Sequence, residues 1–171
     1  HFFDQVMGAA RLTLVGEVGY THVGGLESNS EARYGRDPSY GPGPLPGGQC
    51  QVLNTGTLAG GPQNNVSRYC ENDGYTTANS WGYRGRAIWE YNDAIAGVNL
   101  KPNVAWSHDV EGYSPGPGGN FEEGRKAVSL GVDAEYQNTY TASLAYTNFF
   151  DGKYTTTDDR DFVALSFGVN F

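Results

Sequence analysis

The feature that most constrains this chain is an alternation of apolar and polar residues kept up over unusually long stretches. A period of two puts successive side chains on opposite faces of a strand. Six stretches show it, at residues 10–23, 79–91, 95–109, 123–136, 140–150 and 161–171. Most run past ten residues, against about 5–6 for a strand of a soluble sheet and about 9–11 for one that crosses a membrane. The connections alternate in length. A long segment at 24–77 is followed by a tight turn at Asn92-Asp93 and a Gly/Pro loop over 114–120. A tight turn at Gln137-Asn138-Thr139 and a polar loop over 151–160 come next. Long and short in strict turn place every long loop at one end of the sheet, the pattern of outer-membrane barrels.

Each strand then has two faces. One carries Leu12, Leu14, Val18 and Tyr20, then Trp81, Tyr83, Trp89 and Tyr91, then Val98, Leu100, Val104 and Trp106. It continues through Val128, Leu130 and Tyr136, then Tyr140, Leu144 and Tyr146, and ends with Val163, Leu165, Phe167, Val169 and Phe171. Alternation alone also fits a soluble sandwich, so the heights of the aromatic residues decide. Tyr20, Trp81, Tyr83, Trp106 and Tyr146 fall toward the long-loop end, and Trp89, Tyr91, Tyr136, Tyr140 and Phe171 toward the short-turn end. The residues between are aliphatic, Ala or Gly, whereas a sandwich core would gather its large rings mid-strand. Amphipathic rings prefer the headgroup level, and the two pairs on the second strand lie roughly 19 Å apart in height at ~3.3 Å per residue and ~45° tilt. The apolar band of such barrels is ~25 Å tall. The expected fold is therefore all-β, an antiparallel up-and-down transmembrane β-barrel, with about six strands of a larger barrel in residues 1–171 and a long extracellular loop at 24–77. Pro102, on the apolar face of an internal strand, marks a bulge or bend, since proline costs a ladder bond there.

Composition removes competing classes. A hydrophobic content of 38% with no run near the ~20 apolar residues of a membrane helix suits a barrel, which gives only alternate residues to lipid. A net charge of -8 argues against a nucleic-acid partner and against adhesion to anionic lipid through a basic patch. Cys50 and Cys70 are the only cysteines and lie in the long loop. They read as a disulfide, and thus as an oxidising compartment, with two unpaired loop thiols as the alternative. Residues 1–8 read as a connection arriving from elsewhere, with any targeting signal outside the sequence given.

Phe162 to Phe171 alternate and end on an aromatic residue. The segment, with Leu165, Phe167, Val169 and Phe171 on one face, resembles the C-terminal signal that the barrel-assembly machinery recognises. Arg11-Leu12-Thr13-Leu14-Val15-Gly16-Glu17-Val18-Gly19-Tyr20 and Pro102-Asn103-Val104-Ala105-Trp106-Ser107-His108-Asp109-Val110, together with that closing segment, resemble a particular group. It comprises uncharacterised proteobacterial outer-membrane proteins, classed as domain of unknown function thirteen hundred and two. Those proteins are several hundred residues long, so the chain is expected to match their C-terminal part. The resemblance implies integral residence in the outer membrane of a Gram-negative bacterium and, by association, the handling of hydrophobic or lipid-like compounds. It carries no catalytic residues over.

The face opposite the apolar one holds the candidate chemistry. Arg84, Arg86, Lys101, Arg11 and Arg125 form a predicted basic ladder lining the lumen, with Arg84 and Arg86 expected beside Lys101. Such a ladder lines a pore or holds an anionic headgroup through guanidinium forks. The plainer reading is a structural network with the lumen acids Glu17, Glu90, Asp133 and Glu135. Catalysis is not expected. Ser107 and His108 are adjacent on a strand, so they point to opposite faces and cannot act as nucleophile and base. His1, His22 and His108 lack metal-ligand spacing, and Glu122-Glu123 and Asp158-Asp159 read as solvated loop ends. Asn65-Val66-Ser67 matches a glycosylation sequon without meaning in a bacterial loop.

These readings converge on an outer-membrane channel or transporter, without cofactor or metal, of a porin-like kind. Its expected partners are outer-membrane lipid and lipopolysaccharide, the assembly machinery, and the remaining N-terminal strands or further copies needed to close the barrel. The alternative is a non-conducting structural or surface-binding barrel whose long loop meets partners or plugs the lumen. A soluble β-protein is the third reading.

Overall fold

The computed structural model describes residues 1–41, 43–44, 71–116 and 119–170. Its strands are β1 (Phe2–Asp4), β2 (Arg11–His22), β3 (Asn79–Ile95), β4 (Val98–Glu111), β5 (Lys126–Tyr136), β6 (Tyr140–Phe150) and β7 (Phe162–Val169). They form one open seven-stranded sheet in which every strand pairs antiparallel with its sequence neighbours, leaving β1 and β7 as edges. The only helical segments among the described residues are 3-10 turns at Val6–Gly8 and Pro38–Tyr40. The all-β antiparallel order follows the alternation. The count is seven rather than six because Phe2–Asp4, expected within an incoming connection, pairs with Arg11–Thr13. A three-residue strand is too short to show a period.

The first short turn sits four residues beyond its expected place. Ile95 faces Val98, so Ala96 and Gly97 form the connection, with φ of 49° and 85°. Two positive φ values make a type I′ turn, whose twist suits the flanking strands. Asn92-Asp93 instead lies in a bulge, where β3 carries two residues more than β4 between the pairs Tyr91–Leu100 and Ile95–Val98. Asp93 is left-handed there (φ 49°). Its Oδ1 accepts from the Gly97 N–H at 2.7 Å, and its own N–H donates to Asn99 Oδ1 at 3.0 Å. The Asn-Asp pair signals left-handed backbone correctly, but here that backbone serves a bulge. The second turn occupies residues 137–139 as expected, with Gln137 and Asn138 at positive φ.

Pro102 produces a lapse in the ladder. Ile88 faces Asn103 and Tyr91 faces Leu100 in one unbroken register, yet no pairing joins the residues between them. Proline has no N–H to give, while on the other side Pro102 still faces Val132.

The register carries the two faces across the whole sheet. One row reads Leu14, Ala87, Val104, Leu130, Tyr146, Val163. Among the described residues nothing covers the middle of this apolar face: Leu14 is 41% exposed, Leu130 54%, Leu165 63% and Phe167 77%. The large buried rings, Tyr75, Tyr113, Phe121 and Tyr154, all belong to the segments at the long-loop end. In hydrogen exchange the amides of β3 to β6 are expected to be the best protected. Every second amide of β7, pointing off the open edge, should exchange as fast as the loops. Uniform protection along β7 would show that this edge is paired.

Candidate functional site

The charged face is sorted by cross-strand register. Arg11 faces Glu90, with Nη2 2.8 Å from Oε2. Lys101 faces Asp133, and its Nζ lies 3.6 Å from Glu135 Oε2. Arg125, one residue before β5, reaches Asp109 at 2.6 Å and Glu122 at 3.1 Å. Arg86 faces Val15 and Ala105 and donates to Asn103 Oδ1 at 3.1 Å. Asn103 in turn donates to Asp133 at 3.2 Å. Arg84 stands between Glu17 and Ser107. The cations therefore do not form one ladder. Lys101 lies four residues along β4 from Ala105, the partner of Arg86, and belongs to the acidic cluster near the short turns. Three of the five cations are matched to acids, whereas Arg84 and Arg86 have no ion pair among the described residues.

Small side chains make the wall beside these two arginines. Ala105, Ser107, Ala127, Ser129 and Thr147 floor a groove of about 380 Å³ that Val15 and Glu17 flank. A second hollow of about 270 Å³ shares Arg86, Ala105 and Ser129 with it and reaches Ser143 and Ala145. The floor's hydroxyls are partly occupied with one another: Thr147 Oγ1 donates to Ser129 Oγ at 3.0 Å. At the far side Phe149 and Phe162, which face Ala127 and Thr147, approach with ring centroids 6.4 Å apart. Phe162 is half exposed on the face that carries the charges.

Above the arginines, a loop covers the charged face. Gly19 and Gly82 form a cross-strand pair, and the Phe121 ring of the β4–β5 loop occupies the space their side chains would take. A Cβ on Gly19 would meet Phe121 Cζ at 2.7 Å, and one on Gly82 would meet Phe121 Cδ1 at 3.0 Å. An aromatic ring laid over strand glycines restores the contact that they give up. The loop is held by Ser114, whose Oγ lies 3.0 Å from Ser80 Oγ and accepts from the Phe121 N–H at 3.2 Å. It is held again by Asp109, whose Oδ2 accepts from Arg125 Nε (2.8 Å) and from the Glu122 N–H (3.1 Å). The Asp109 side chain is 5% exposed.

The described parts of the other loops knit onto this one. Arg36 lies over the rings of Tyr75 and Tyr154, at 5.1 and 4.7 Å. It donates to the carbonyls of Glu71, Asp73 and Tyr40. Tyr154 packs edge-on against Tyr40 (5.3 Å) and Tyr113 (6.1 Å). Burial pushes the Tyr113 hydroxyl well up from its ordinary value, and the carboxylates of Asp73 and Glu123 add to this. Glu71 is held below the usual carboxylate range, chiefly by its hydrogen bond from Lys153.

Ser107 and His108 lie on opposite faces, and His108 stands edge-on to Tyr83 at 5.5 Å on the apolar side. His22 Nδ1 lies 2.9 Å from Asn79 Oδ1. Leu165, Phe167 and Val169 project from β7 and are exposed, while Phe171 and the expected Cys50–Cys70 disulfide lie outside the described residues. The sequence gives no local sign of the Phe121 cover. Its one hint is Gly19 and Gly82 at equivalent heights on neighbouring strands, which only the register reveals.

A family model described as a protein of unknown function (DUF1302) matches residues 3–171. No curated protein matches the chain, and no solved structure does.

Two outcomes are expected of the loop cover. Gly82→Ala pushes a methyl against the His108 carbonyl (2.7 Å) and Asp109 Cα (3.0 Å), so overpacking should cost about 1–3 kcal/mol. Phe121→Leu should not relieve that cost, whereas it should relieve Gly19→Ala, whose methyl meets only the ring. Thermal melting of the three single and two paired variants checks this. Arg125→Met leaves the Asp109 carboxylate buried and unpaired, for a loss of about 3–5 kcal/mol. Adding Asp109→Asn should return part of that loss in denaturant titration.

Proposed function

The chain belongs to the DUF1302 family of proteins of unknown function, and from that premise we propose that it forms part of the wall of an outer-membrane β-barrel that works as a channel or transporter. The slope of its aromatic bands carries the reading. From the row of Tyr20 on β2 to the row of Tyr146 on β6 the register descends six residues, from Tyr20 to Leu14. That is about 20 Å along the strands against about 19 Å across four strand spacings, a slope near 45°. At the other end, the step from Trp89 on β3 to Tyr140 on β6 is four residues, from Leu144 to Tyr140, over three spacings. That gives roughly 42° from the same strand dimensions. Strands of membrane barrels tilt by ~35–45°. At that tilt both diagonals become level belts, one at each membrane surface, with the uncovered apolar face between them.

On this reading lipid and lipopolysaccharide cover that face, and β7 presents Leu165, Phe167 and Val169 to the assembly machinery. The charged face lines the interior. Seven strands fall short of the eight of the smallest common barrels, so further strands of the same protein or further copies complete the wall. One observation favours the non-conducting alternative: the Phe121 loop lies over the interior face beneath the loop layer, where it narrows or closes the passage.

Two measurements test the proposal. Brominated lipids should quench Trp81, Trp89 and Trp106 in proteoliposomes, most strongly with bromines near the carbonyl end of the chain; no quenching at any depth would end the membrane reading. Planar-bilayer recording should give discrete conductance with a preference for anions that Arg84→Gln/Arg86→Gln reduces. Unchanged selectivity would remove the pair from the pore, and a silent bilayer would favour the closed barrel.

A further inference from the structure

We propose that the groove beside Arg84 and Arg86 is a binding site for a single-chain amphiphile with an anionic oxyanion head, a carboxylate or a phosphate. This deepens, and rests on, the reading that the charged face lines a barrel interior. The head site is the two arginines. They project from one face of β3 at adjacent positions of that face, and neither is joined to an acid, although the other three cations of this face are. Arg86 gives one N–H to Asn103 and Arg84 stands opposite Glu17 without an ion pair among the described residues, and the donors left on two guanidinium forks side by side match an oxyanion with several acceptor oxygens better than a single halide.

The tail site is the rest of the groove. Ala105, Ala127 and Ser129 leave open space where larger side chains would fill it, and the lining is mostly carbon. The floor leads across the strands to Phe149 and Phe162, and Phe162 is 50% exposed. Its ring lies against Phe149, four strands away from the two arginines. From β3 to β7 is four strand spacings, about 19 Å, a span on the order of one extended long acyl chain, so a twelve-carbon chain with its head on the arginines reaches most of the way along the floor. Val15, 57% exposed beside Arg86, flanks the chain near its head. The floor's hydroxyls are few and two of them bond each other, a poor match for a sugar or nucleotide, and the arginines disfavour a neutral hydrocarbon, whose entry would leave their charges desolvated without a partner.

The test uses the full chain in phosphatidylcholine nanodiscs. Radiolabelled dodecanoate is titrated by equilibrium dialysis, with empty discs giving the partition baseline. Saturable uptake of one dodecanoate per chain is expected. Dodecyl phosphate should displace it, and dodecanol and acetate should not. Arg84→Gln/Arg86→Gln should weaken it by about ten-fold or more, as loss of charge-assisted hydrogen bonds implies. Arg11→Gln, outside the groove, should leave it within about two-fold, less than the roughly ten-fold step of one lost strong interaction. Equal uptake by the wild type and the double variant, or displacement by dodecanol, overturns the site. Loss of saturable uptake when phosphatidylglycerol is added to the disc overturns a free amphiphile in favour of a bilayer lipid. Failure of the membrane reading shows separately, as absent tryptophan quenching, which depends on neither arginine.

Discussion

Everything in this sheet depends on parity, because a one-residue slip between neighbouring strands would carry every apolar side chain to the charged face. The chain keeps parity through the middle of the wall and spends its irregularities at the ends. Between β3 and β4 the register holds from Gly82–Asp109 to Tyr91–Leu100. Beyond Gly82, β4 gains one residue at the loop rim, and beyond Tyr91, β3 gains two near the short turn. Even Pro102, which deletes a bond, leaves the register untouched. The backbone ladder thus bears the full cost of keeping Arg84 and Leu14 apart, with no core between strands to help it.

A second layer stabilises what the ladder cannot. The side chains buried among the described residues lie largely in the loops, where Arg36 lies over Tyr75 and Tyr154, Tyr113 packs edge-on against Tyr154, and Phe121 covers the strand glycines. The layer's connection to the strands is polar as well as apolar: the buried Asp109 belongs to β4 and its partner Arg125 to the loop end. Breaking such a pair strands a charge in a dry place, which is why it acts as a latch although a buried ion pair adds little net stability. The loop layer therefore has a fixed position over one face, and that face is the one that carries the charges.

How much of this could be read from the residues follows from the range of each signal. The long strands and their two faces are written in a local period and were legible. So was the turn at residues 137–139, whose polar residues tolerate left-handed backbone. Asn92-Asp93 carries the same chemistry and was misplaced, because a left-handed residue suits a bulge as well as a turn. The short strand Phe2–Asp4 has no period to show. The pairing of the charges was the least legible part. Which acid meets Arg11, Lys101 or Arg125 depends on register offsets between strands, and those are set by the bulges and turn lengths just described rather than by the charged residues themselves. Arg84 and Arg86 stand out only after the other cations have been matched.

The parity rule also says how a wall of this kind can change length over evolutionary time. Within the mid-portion of β3 or β4, gain or loss of a single residue turns one part of a strand inside out, whereas gain or loss of two leaves both faces as they were. The two-residue excess between Tyr91 and Ile95 has the form that such a paired insertion leaves behind. Strand length in this wall is in effect quantised in steps of two, and freedom to drift by one residue is confined to the rims and the loops.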